Sequence, residues 1–175
     1  MSGHAPGNKN VQIFKYTYST MVLIFSAVLV IGAVFTRQTE LSEDSYPVVA
    51  LLVLVFSITW LTMVEGGQGA IVGLGPVAHE HYARTHPHAL HCTSLVHKGD
   101  NLDRYLLGRQ FMVILIVFAV EMAGATPHFD ELWNLPDWLT AIFLKSGLAM
   151  ILFTCMVGQL NSEVNGCHCM LDYSK

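Results

Sequence analysis

Four apolar runs, each close to the length that crosses a bilayer, constrain this chain more than any other feature. A spanning helix needs roughly 20 predominantly apolar residues. The runs 16–35, 48–64, 105–123 and 139–160 meet or approach that length. Charged residues make up only 13% of the chain, against about 25% in a typical soluble domain, so there is too little polar surface to wrap four such runs in water. The sequence predicts an all-α polytopic membrane protein, one transmembrane domain over residues 1–175 with about four spans and the lipid bilayer as its solvent. The net charge of −4 comes with no basic block, which excludes nucleic acid as a partner. The four cysteines are too few for a disulfide scaffold. The first run follows a polar stretch and carries no small-residue cleavage site, so it is expected to be retained as a span.

Loop charge predicts the orientation. Lys9 and Lys15 precede the first run, and Arg37 alone follows it. Arg84, Lys98, Arg104 and Arg109 lie before or at the start of the third run, and the loop before the fourth holds no Lys or Arg. This alternation places the N-terminus in the cytoplasm if there are four crossings. It fails if the glycine-rich stretch EGGQGAIVGLGPV, residues 65–77, is a full crossing. Residues 66–77 are therefore expected to form a re-entrant segment or to cap the second helix. Trp60, Trp133 and Trp138 are placed as interfacial anchors.

Chemistry concentrates where the second run ends and the third begins. Glu65, Gly66, Gly67 and Gln68 close one, and Gly108, Arg109 and Gln110 open the other. The topology sets both groups at the cytoplasmic ends of their helices, so Glu65 and Arg109 can pair at equal depth. Carboxamides donate and accept together, which suits a small, uncharged, hydroxyl-rich solute. Glycine lets backbone approach such a solute or another helix. The simpler alternative is that the pair only closes two helix ends. Glu121 and Lys145 are intramembrane charges that either serve a site or join the third and fourth helices. Six histidines between His79 and His97 make a loop whose close pairs, His79 with His81 and His86 with His88, offer ligands to a transition metal such as zinc, though no spacing matches a closed zinc site; the alternative is a solvated, pH-responsive loop. Cys167 and Cys169 with Asp172 form a candidate soft-metal cluster, or a structural one, the structural role being favoured. No catalytic residue is assigned, and no enzyme is expected.

The motifs Glu65-Gly66-Gly67-Gln68 and Gly108-Arg109-Gln110 resemble the EGxQ and GRQ pair of the diatom silicic acid (silicon) transporters. Cys169-Met170-Leu171-Asp172 is similar to the CMLD stretch of the same family. The resemblance implies sodium-coupled uptake of silicic acid across the plasma membrane, by about ten spans in two related halves. It also implies that residues 65–68 and 108–110 bind substrate, with Glu65 the choice for sodium and Gln68 and Gln110 the choice for solute hydroxyls. One motif pair is present, and the chain stops where the family would enter another span. It is thus expected to be an incomplete first repeat awaiting its second, or a half-size relative acting as a dimer. A four-span interaction protein without transport is the rival reading.

Overall fold

The computed structural model describes residues 9–126 and 135–173, and every regular element among them is helical. Pro127, Asp130, Glu131 and Trp133 of the predicted loop lie outside the described residues. Helix α1 spans Lys9–Phe35. A short turn, α2 (Glu40–Asp44), follows, capped by Thr39, whose hydroxyl accepts from Ser42 N–H at 3.3 Å. Helix α3 covers Pro47–Leu74, with the proline in its first turn, where no main-chain donor is lost. Next come α4 (Pro87–Val96) and α5 (Asn101–Gly124). Two segments, α6 (Asp137–Lys145) and α7 (Leu148–His168), then meet at a 55° bend, and α8 (Met170–Tyr173) ends the described chain.

Helices α1, α3 and α5 are each long and apolar enough to cross a membrane, and the bent pair makes a fourth crossing if counted as one. The first three coincide with predicted runs. The fourth run, 139–160, is one stretch in the sequence but two helices in space. Gly147 adopts the left-handed conformation (φ 70°) that breaks it, and π-helical turns occupy Thr140–Lys145 and Thr154–Leu160.

The glycine-rich stretch extends the second helix instead of forming an element of its own. At 28 residues, α3 is about 42 Å long, which overshoots a hydrocarbon core of about 30 Å. Glycine alone disfavours such a continuation, but here its bare faces receive α7 and α8, so packing overrides propensity.

The bundle core is Leu29, Val30, Val34, Leu54, Leu61, Ile116, Val120 and Met150 with their neighbours. Lipid tails are as apolar as these side chains, so close fit holds the helices together. The fit is tight: a Cβ on Gly158 would lie 2.9 Å from Leu61 Cδ2. Large apolar side chains such as Phe14, Leu52, Phe118 and Ile151 point outward, as a bilayer-facing surface requires.

The histidine-rich stretch is not a simple solvated loop. A 3₁₀ turn (His79–His81) and α4 fold over the end of α3. Tyr82 is buried there, its hydroxyl 2.9 Å from that of Thr93. Leu74, Tyr82 and Ala89 form a second small core, against which Val77, Leu90, Met170 and Leu171 pack.

Candidate transport site

Glu65 sits where α3 leaves its apolar run, and Arg109 lies two turns into α5. Though 44 residues apart, they meet: Arg109 Nη2 donates to Glu65 Oε2 at 2.5 Å. The side chains are 11% and 13% exposed, so the charges are mostly withdrawn from solvent and each answers the other. Arg109 Nε is buried and has no hydrogen-bond partner among the described residues. A buried N–H without an acceptor is rare.

One turn earlier on α5, at i−4 from Arg109, stands Tyr105. A Cβ on Gly67 would lie 3.9 Å from its hydroxyl. Tyr105 and Arg109 therefore share the face of α5 that looks toward Glu65 and Gly67. Gln68 is half-buried one residue on.

The GRQ residues divide. Arg109 turns inward, whereas Gly108 and Gln110 are exposed, and a Cβ on Gly108 would meet nothing within 4 Å. Successive helical residues are about 100° apart, so the neighbours of an inward residue face sideways or out. Gln68 is half-buried and Gln110 exposed, so the two carboxamides have different settings.

The glycines of α3 have partners in the tail. A Cβ on Gly166 would come within 2.9 Å of Gly66 Cα, so two backbones cross there with no side chain between them. One on Gly69 would lie 3.4 Å from Cys167 Sγ, and one on Gly73 only 2.8 Å from Met170 Sδ. The EGGQG stretch and the CHCM stretch are thus a single packed interface. Their spacing of three to four residues was the available signal, since it repeats one helix face. Sequence reasoning missed Tyr105, whose place at i−4 from Arg109 marks it.

Beside this interface runs an open groove of about 440 Å³, lined among others by Leu74, His86, Cys167, Cys169 and Asp172. Among the described residues no three His, Cys, Asp or Glu side chains come together as a metal would need. Cys167 and Cys169 are exposed free thiols.

A family model described as silicon transporter matches residues 8–175, nearly the whole chain. The chain belongs to the silicon transporter family. No curated protein and no solved structure matches it. Membership gives silicon transport as the function class, silicic acid as the cargo and a membrane as the setting. The match takes in the spans, the histidine cap and the tail together.

Proposed function

We propose that this silicon transporter chain forms one half of a sodium-coupled carrier for silicic acid in the plasma membrane, with its N-terminus in the cytoplasm. The observation that carries the site is the buried Glu65–Arg109 pair with its unanswered Nε–H. Silicic acid is neutral and bears only hydroxyls, each a donor and an acceptor. Arg109 Nε–H supplies a donor, and the Tyr105 hydroxyl and Gln68 amide supply both functions. Gly66 and Gly67 keep side-chain bulk out of the way.

Sodium acts through Glu65. A hard cation prefers an anionic oxygen, and it competes with the guanidinium for the same carboxylate. Sodium at Glu65 loosens Arg109 and frees more of its donors for the solute, so the two cargoes bind better together than singly. Gln110 is exposed on α5. A carboxamide is poorly matched to lipid, so that side meets the second repeat or a second copy of the chain. Rocking of the two halves then exposes the site alternately.

Silicon uptake into proteoliposomes carrying the complete transporter tests this reading. Uptake driven by an inward sodium gradient is expected, and both Gln68→Ala and Arg109→Ala should reduce it by about tenfold or more, the loss of one well-placed polar contact. Wild-type uptake by both variants would remove the site.

A further inference from the structure

The two halves of the bent span are held unequally. Beyond Gly147, α7 is locked into the bundle. A Cβ on Gly124 of α5 would lie 2.5 Å from Met150 Sδ, and one on Gly158 would lie 2.9 Å from Leu61 Cδ2 of α3. Helix α7 also packs along α1. Before Gly147, α6 has no such lock. Leu144 is its one buried side chain, and Phe143 is half-buried against the core. Among the described residues no helix other than α7 packs extensively against it. A segment with so few buried apolar contacts opens more readily than the core it rests on.

The junction is free to turn. Gly147 has a φ of 70°, a Cβ there would meet nothing within 4 Å, and α6 leaves α7 at 55°. Glycine adopts either sign of φ at little cost, so this residue can change its angles without pushing on a neighbour. The π-helical turn Thr140–Lys145 leads into it, an irregularity frequent at functional sites.

Helix α6 borders a small void. Val30 and Ala33 of α1, Gly124 of α5 and Met150 of α7 line it together with Phe143 and Leu144. Its volume of about 10 Å³ admits at most one water. Phe143 also meets Phe25 of α1 edge to face, with ring centroids 5.0 Å apart and planes at 89°. The void lies at the last turn of α5, about 22 Å along that helix from Arg109. A carrier with alternating access needs a closure at each end, and the Glu65–Arg109 pair stands at one of them.

We propose that α6 is a hinged lid, the closure at the end of the bundle opposite Glu65. It swings about Gly147, and the Phe25–Phe143 ring pair is its latch. When the rings part, Leu144 leaves the void, and the cleft between α1 and α5 opens to that side of the membrane. In the orientation proposed above, that side is the outer one. The lid's role in transport rests on the carrier reading; the hinge itself does not.

Labelling of Val30→Cys by a small membrane-impermeant methanethiosulfonate, followed by mass spectrometry on the purified full chain in detergent, tests the hinge. Val30 lines the void and is 2% exposed, so its labelling reports opening. Phe143→Ala should speed that labelling about fivefold, the shift expected from losing one edge-to-face ring pair. Phe143→Tyr, which keeps the ring, should leave the rate unchanged. Val113→Cys, in the core but not at the void, should label no faster when Phe143 is replaced. Equal Val30→Cys rates with and without Phe143 overturn the lid. So does a rise shared with Val113→Cys, which would mean that the ring only holds the bundle together. A second arm uses proteoliposomes of the complete transporter with its native cysteines replaced by serine. There, bridging Phe25→Cys/Phe143→Cys with a short bifunctional thiosulfonate should stop silicon uptake, and a reductant should restore it. Uptake that continues through the bridge overturns the closure. If the unbridged transporter takes up no silicon while the labelling behaves as expected, the hinged lid stands and the carrier reading falls.

Discussion

Arg109 gives Nη2 to Glu65 and, among the described residues, gives Nε to no acceptor. Removing the guanidinium alone strands a carboxylate that is 13% exposed. Breaking a buried pair in that way costs about 3–5 kcal/mol, whereas removing both charges costs much less. Arg109→Ala should therefore unfold at lower denaturant than Glu65→Gln/Arg109→Gln, and chemical unfolding in detergent reads the difference. Equal midpoints would mean that the pair is solvated. That these two residues meet was legible in the sequence, because two charges at equal depth beside apolar runs have little else to pair with. The outward turn of Gln110 was not. The apolar residues of α5 are spread around its whole circumference, so its sequence does not say which side faces α3.

At the scale of elements, the glycines separate into those that hold helices together and those that do not. Gly166 lies against Gly66, and a methyl there must push backbone from backbone. Gly166→Ala should destabilise by about 1–3 kcal/mol, the usual penalty of overpacking. Gly108 has open space around it, so Gly108→Ala should be neutral or stabilise by up to about 1 kcal/mol through helix propensity alone. The unfolding temperature should fall for Gly166→Ala and hold or rise for Gly108→Ala, and a shared loss would show that Gly108 is packed too. Gly147 is a third kind: its φ of 70° favours a residue without Cβ, so Gly147→Ala should cost about 1 kcal/mol or more and straighten the bend between α6 and α7. The existence of α1, α3 and α5 follows from hydropathy, which needs no partner to be read, whereas the run of α3 on to Leu74 depends on the tail packed against its glycines. The break in the fourth run depends on one residue's backbone angle, which hydropathy does not register.

At the scale of the whole molecule, the spans carry a folded cap. Its core is one tyrosine, a few aliphatic residues and the Tyr82–Thr93 hydroxyl bond. Tyr82→Phe leaves Thr93 its bond to Ala89 O at 2.8 Å, so it should cost only about 1 kcal/mol, while Tyr82→Ala opens a cavity worth about 3–5 kcal/mol. Limited proteolysis should find residues 78–97 resistant in wild type and in Tyr82→Phe, and cleaved in Tyr82→Ala. Cleavage of all three at one rate would mean that the cap is not folded. The histidines hid this cap from sequence reasoning. They make its composition polar, and its apolar partners, Met170 and Leu171, lie at the other end of the chain.

The Gly66–Gly166 crossing bears on how force would travel through this protein. Where side chains separate two helices, a small slip is absorbed by rotamer changes. Here the backbones bear directly on one another beside Glu65, and there is no such cushion. Any displacement of the tail is handed to the carboxylate undiminished. The tail and the Glu65 end of α3 are therefore expected to move as one body.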